Sequence, residues 1–256
     1  MALLKLETRI VDNLFNNKRL FNLTIYGNFA YILDSSNNQI LRKDLTTLAS
    51  SIWLSYTGEF ATNITTDGIN MYLSTISNKI YRISLSNPTL YLFSSNTQLQ
   101  GPNGLWIDSI NNYIYVVNTN SGTISQLDLT TGTPSNLPWI SGLNFPKKII
   151  GYNNYLYVSN SNNVGPNISR NNTISRISLT TKTIETFIDS SYLSNPSYLA
   201  IYQDYLYVCN DNSRNGENTI LSINLIGDLI FSRAYLTVYA SFTGISVYNN
   251  LSLIHI

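Results

Sequence analysis

Apolar residues recur along this chain in short runs with a two-residue period, separated by clusters of Asn, Ser, Thr, Gly and Pro. Such runs predict strands bounded by turns. Pro102-Asn103-Gly104-Leu105-Trp106-Ile107-Asp108 reads as a turn leading into a first strand, and Asn111-Asn112 is a two-residue turn signal. Tyr113 to Asn118 is a second strand, Ser121-Gly122 turns into a third over Thr123 to Leu129, and Thr130-Thr131-Gly132 turns again toward a fourth near Trp139-Ile140. The second strands are apolar on both faces: Tyr113 and Tyr115 point one way, Ile114 and Val116 the other. The same holds for Tyr155/Tyr157 against Leu156/Val158 and for Tyr205/Tyr207 against Leu206/Val208. A sandwich strand with one wet face alternates apolar with polar. These strands are therefore expected to be covered on both sides.

The unit repeats. NNYIYVVNTNSGTISQLDLTTG from Asn111 is echoed by NNYLYVSNSNN from Asn153 and QDYLYVCNDN from Gln203, with weaker copies from Gly27 and Gly68. The equivalent tyrosines are Tyr31, Tyr72, Tyr115, Tyr157 and Tyr207, a period of about 40–45 residues that lengthens in the last unit. This predicts an all-β fold, a β-propeller with four-stranded antiparallel blades: five full blades and the start of a sixth, from a six- or seven-bladed parent. Residues 1–250 are expected to form the single propeller domain, with residues 1–20 as an N-terminal cap or closing strand. The stretch PNGLWIDSINNYIYVVNTNSGTISQLDL resembles the NHL and YVTN β-propeller repeats, where a Pro-x-Gly-apolar turn precedes a strand ending Tyr-Val-x-Asn/Asp. The resemblance covers residues from about 20 to 240 and implies a propeller akin to the TolB-like and gluconolactonase-like six-bladed ones. It implies fold far more strongly than function.

Composition narrows the field. Charged residues make up 11% of the chain, against a usual ~25%, and the net charge is +1. Basic residues adjoin only at Lys18-Arg19, Arg42-Lys43 and Lys147-Lys148, so no nucleic-acid partner is expected. No apolar run approaches the ~20 residues that span a bilayer, so no membrane insertion is expected either. The start, MALLKLETRI, lacks a signal-peptide apolar core, which leaves the localisation open. A single cysteine, Cys209, excludes an internal disulfide and reads as a small apolar strand residue.

Strand parity places the candidate site. If the first strand leaves one face of the ring, the second returns to it, so the Pro-Asn-Gly turn and the residue ending strand two share a face. That face collects Asp34, Thr75, Asn118, Asn160 and Asn210, one per blade. It also collects two long loops, SNNVGPNISRNN and DNSRNGEN, which carry Arg170, Arg214, Asp211 and Glu217. Lys147 occupies the slot of Asn103, since Pro146-Lys147-Lys148-Ile149 aligns with Pro102-Asn103-Gly104-Leu105. The candidate ligand-binding residues are thus Asn103, Asn118, Lys147, Asn160, Arg170, Asn210 and Arg214. Each has a plainer reading: the asparagines cap turns by bonding their own backbone, and the charges are solvated. Trp53, Trp106 and Trp139 sit at strand positions and read as packing between blades before sugar-stacking platforms. The sequons at Asn22, Asn63, Asn167 and Asn171 are expected by chance in so Asn-, Ser- and Thr-rich a chain.

The preferred reading is a non-enzymatic scaffold that binds a small polar ligand, a glycan or a protein through that face, as a monomer and without a cofactor. The alternative is a metal-dependent lactonase or esterase. The gluconolactonase-like resemblance implies Asn103 as one metal ligand, but the expected glutamate is absent around Phe21-Asn22-Leu23 and no acid lies in Asn195-Pro196-Ser197-Tyr198. No catalytic set and no metal set is expected. The sixth unit opens with Phe242 to Asn250 and is followed by LSLIHI, where a YLYVSN-like strand belongs. These six residues either form the second strand of the sixth blade or are the translated end of a transposon used to tag DNA libraries. The latter is preferred here, which sets the sole histidine, His255, outside any catalytic scheme.

Overall fold

A computed structural model describes residues 5–8, 20–135, 138–161, 172–210, 218–226, 231–232, 237–238, 244–248 and 251–255. The second strand of each repeat carries the architecture. Strand β1 (Lys5–Thr8) precedes the first blade, which is β2 (Leu20–Tyr26), β3 (Phe29–Asp34), β4 (Gln39–Asp44) and β5 (Ser50–Ser55). The second blade is β6 (Ala61–Thr66), β7 (Asn70–Thr75), β8 (Lys79–Ser84) and β9 (Leu90–Ser94). The third is β10 (Pro102–Asp108), β11 (Tyr113–Asn118) and β12 (Thr123–Asp128), whose outer position is filled by the isolated bridges Leu127–Pro134 and Ile124–Ile140. The fourth is β13 (Pro146–Tyr152), β14 (Tyr155–Asn160), β15 (Thr173–Ser178) and β16 (Ile184–Ile188). The fifth is β17 (Pro196–Tyr202), β18 (Tyr205–Asn210), β19 (Asn218–Asn224), β20 (Phe231–Ser232) and β21 (Thr237–Val238). β22 (Gly244–Tyr248) and β23 (Leu251–His255) pair antiparallel, and β1 joins β23 in parallel.

In β3, β7, β11, β14 and β18 every residue but the first is buried. Both faces are covered, as their continuous apolar sequence requires. The core is accordingly divided into wedges between blades. Tyr115 and Trp139 of the third blade pack against Ile149 and Leu156 of the fourth. Tyr31 and Leu33 of the first meet Ile64 and Met71 of the second. Tyr207 and the fully buried Cys209 of the fifth meet Ile245 of β22. The outer strands β5, β9 and β16 are exposed along much of their length.

The first strands line the axis. β2 touches β6, β6 touches β10, β10 touches β13, β13 touches β17, β17 touches β22, and β22 returns to β2. A closed ring of six first strands results. In blades one to five the first strand begins with a bulge, and its first residue lies opposite the last residue of the second strand: Leu20–Asp34, Ala61–Thr75, Pro102–Asn118, Pro146–Asn160 and Pro196–Asn210. The entry turn and the end of strand two therefore share one face, as parity demands.

Two turns differ in kind. Asn153 and Asn154 both have positive φ (45° and 64°) and form the expected two-residue hairpin. At Asn111-Asn112 the connection is four residues long, because Asp108 turns back to accept the Asn111 backbone N–H at 3.1 Å and its Nδ2 at 2.8 Å.

Hydroxyls just past the second strands clamp neighbouring blades. Ser35 Oγ donates to the Ala61 carbonyl at 2.5 Å, and Thr119 Oγ1 to the Pro146 carbonyl at 2.7 Å. Thr119→Val keeps the shape and deletes one clamp, so chemical denaturation is expected to show a loss of about 1 kcal/mol. An unchanged midpoint would mean the blades are held by apolar wedges alone.

Candidate functional site

The bulge at the start of each first strand decides which side chains enter the channel. Two places in from the entry turn, the register aligns Asn22, Asn63, Gly104, Lys148, Tyr198 and Gly244, one from each first strand. In a six-membered ring, Lys148 stands across the channel from Asn22, Tyr198 from Asn63, and Gly104 from Gly244. One layer deeper lies an apolar ring that includes Leu23, Ile64, Leu105, Ile149, Leu199 and Ile245. Together they wall a chamber of about 250 Å³ on the axis. At about 30 Å³ per water, that is room for roughly eight waters, or one ligand of few heavy atoms.

Lys148 is the unusual group. It is 8% exposed, its Nζ donates to Asn103 Oδ1 at 3.1 Å, and it lies 4.9 Å from the centroid of the Tyr198 ring. Burial, with a smaller push from the Lys147 charge, lowers its pKa to about 7. No carboxylate lines the chamber among the described residues. The strands packed against β13 supply Tyr113 and Tyr115 from β11, Tyr155 and Tyr157 from β14, Tyr198 and Tyr202 from β17, and one acid, Asp108, at the opposite end of β10. Gly104 lets β10 approach β13 closely. A Cβ there would stand 2.7 Å from the Lys147 carbonyl oxygen and 2.8 Å from the Lys148 Cα. Across the ring, Asn22 Nδ2 donates to Asn63 Oδ1, and Asn22 Oδ1 accepts from the Leu23 backbone N–H at 2.8 Å. The Nδ2 group of Asn63 makes no hydrogen bond among the described residues. Both sequons at these asparagines are therefore inside the ring, 9% and 4% exposed, where no glycan fits.

The residues singled out from sequence fall into four groups. Asn103 meets the chamber lysine, its carbonyl oxygen engaged by Lys148. Lys147, in the aligned slot, is half-buried and does not line the chamber; its successor does. The signal was present in the repeat, as a polar column two places after each turn, but Gly104 in that column reads as a turn residue. Asn118 and Asn210 hold the loops that enter β10 and β17, and Asn160 ties β14 to β15. Asn118 accepts the Gln100 N–H at 3.2 Å and donates to Ser125 at 2.8 Å. Asn160 donates to Thr173 at 3.0 Å and Ser175 at 2.8 Å, and Asn210 accepts from the Ser194 and Asn195 N–H groups at 2.8 and 3.2 Å. Arg170 and Arg214 lie outside the described residues, as do Asp211, Glu217, Asn167 and Asn171.

On the loop-bearing face of the second blade, Glu59 takes hydrogen bonds from Lys79 Nζ at 2.7 Å, from Tyr81 at 2.6 Å and from Ser77. Burial would raise its pKa, but these bonds outweigh it and hold the carboxyl at about 2. This cluster satisfies itself. The tryptophans pack: Trp53 lies edge-on to Tyr31 at 5.0 Å and Trp139 to Tyr115 at 4.9 Å, while Trp106, 5.6 Å from Tyr115, also lines the chamber. Among the described residues no group of three or more His, Cys, Asp or Glu side chains converges on a metal position.

Several solved structures share this architecture. The chain is similar to one in a nidogen/laminin complex, with a TM-score of 0.67 and 15% identity over 85% of this chain and 82% of that one. It is similar to streptogramin B lyase, TM-score 0.69 and 16% identity over 92% and 75% of the two chains. It is also similar to a catalytically inactive virginiamycin B lyase from Staphylococcus aureus with quinupristin, TM-score 0.68 and 17% identity over 98% and 88%. At these identities the likeness is one of fold: a β-propeller. No protein-family model and no curated protein matches the chain.

Proposed function

We propose that this propeller is a ligand-binding module that receives the anionic end of a small polar molecule in its axial chamber, with Lys148 as the binding charge. The observation that carries this reading is a buried lysine amine lining an axial chamber with no carboxylate among its described lining residues. A buried ammonium without a counter-charge is costly, and a ligand carboxylate that enters supplies the missing charge. Asn63 Nδ2, one ring position beside Asn22, offers a donor to the ligand's other end. Similar propellers occur in a protein–protein complex and in a lyase, so the fold alone supports either a binding or a catalytic role.

The metal-dependent hydrolase reading is weaker on the same geometry. Asn103, the one ligand that the gluconolactonase-like resemblance implies, spends its oxygen on Lys148. An ammonium beside that oxygen repels a divalent cation, and the carboxylates a hard cation needs are not gathered there.

Thermal denaturation with small carboxylates tests the proposal. Acetate and oxalate at millimolar concentration are expected to raise the Tm of the protein at pH 6 by a few degrees, less at pH 8.5, and not at all in a Lys148→Met variant. Stabilisation by calcium, manganese or zinc without any effect of carboxylates would reverse the choice in favour of the hydrolase.

A further inference from the structure

A neutral amine at the wall of a chamber is a nucleophile as well as a base, and the surroundings of Lys148 present it as one. As –NH2 the group has two hydrogens. Asn103 Oδ1, at 3.1 Å, accepts one, and the Tyr198 ring stands with its centroid 4.9 Å from Nζ. The second hydrogen and the lone pair remain for the chamber. Gly104 lets β10 lie close against β13, with Asn103 in reach of the amine, because any side chain at 104 would collide with the β13 backbone. The apolar ring of Leu23, Ile64, Leu105, Ile149 and Ile245 lies beneath it.

We propose that Lys148 captures a small 2-oxo acid from solution as a reversible imine on Nζ. This rests on reading the chamber as the ligand site and names the class of ligand. The carboxylate is drawn by the protonated form of the amine. The neutral form, well populated near pH 7 because burial lowers its affinity for the proton, attacks the adjacent carbonyl carbon. The C–N bond forms as the C=O π bond opens to a carbinolamine. Both amine hydrogens then leave with the former carbonyl oxygen as one water, and the product is a C=N bond. No oxidant or reductant takes part. The size of the chamber, about 250 Å³, confines the ligand to the smallest members of the class.

Reductive trapping decides the matter. The folded protein is treated at pH 7 with glyoxylate or pyruvate and sodium cyanoborohydride, digested and mapped. Lys148 is expected to carry about tenfold more adduct than any other lysine, since ordinary lysines are almost wholly protonated at that pH. Its yield is expected to rise from pH 6 to pH 8, and the Lys148→Met variant to show only background. Adduct spread evenly over the lysines, or absent from Lys148, would overturn the proposal. The acetate and oxalate shifts separate the two ideas. If these stabilise the protein but trapping fails, the imine falls and the anion pocket stands. If trapping succeeds without them, the imine stands and the simple anion reading falls. If both fail, both fall.

Discussion

Lys148→Met is expected to make the protein more stable at pH 6, by roughly 1–3 kcal/mol. Two terms oppose each other. The methionine removes a buried charge without a carboxylate partner, which commonly gains 1–4 kcal/mol. It also leaves Asn103 Oδ1 without its donor, which costs back about 1 kcal/mol or more. The sign depends on pH in a defined way. The folded-state pKa of Lys148 is lowered from 10.5 to about 7, so between those values the unfolded chain binds the extra proton. Stability of the unmodified protein should therefore climb as pH rises from 7 toward 10, as the penalty for the buried charge fades. The variant should lack that climb, and the gain from the substitution should shrink accordingly. Urea unfolding at pH 6, 7.5 and 9 measures all of this. A variant less stable at pH 6, with an unchanged pH profile, would show that the amine is charged and well solvated in the folded state.

Gly104→Ala is expected to cost about 3 kcal/mol, at the upper end of what an added methyl does in a packed interior. The cost is high because the new Cβ meets backbone, which cannot rotate away: the Lys147 carbonyl oxygen at 2.7 Å, the Lys148 Cα at 2.8 Å and the Ile149 nitrogen at 2.9 Å. β10 and β13 must part, and the Asn103–Lys148 bond that bridges them loosens. The same variant should then show a smaller rise in stability above pH 7, because a less confined amine regains solvent. Circular dichroism melts compared at pH 6 and pH 9 read both effects. A melt within a degree of the unmodified protein would mean the two blades slide apart freely at this point.

Legibility from sequence varied by element for physical reasons. The second strands were plain because burial on both faces writes itself as continuous apolar runs, Tyr113 to Val117 being the clearest. The fourth strand expected near Trp139-Ile140 is reduced to isolated bridges, although Trp139 still reaches its place in the wedge against Tyr115. An outer strand needs little burial, so its pattern constrains it little. The blade-repeated asparagines read as turn caps or as a ring of ligands, yet Asn118 and Asn210 accept backbone N–H groups of the loops that enter β10 and β17. A turn cap and a binding residue share the same chemistry, and sequence does not show which partner is nearer.

What the sequence alone determined was the all-β class, the repeat and its propeller architecture, and the face on which entry turns and strand-two ends meet. Each follows from a periodicity that neighbouring residues state locally. What only the tertiary structure decided was the identity of the channel residue. A one-residue bulge at the entry of β13 shifts parity, so that Lys148, and not Lys147, turns inward. The depressed pKa of that lysine was equally out of reach. It comes from burial between β10 and β17, where Asn103 and Tyr198 of the two flanking blades meet the amine, and these are brought together only when the blades pack side by side.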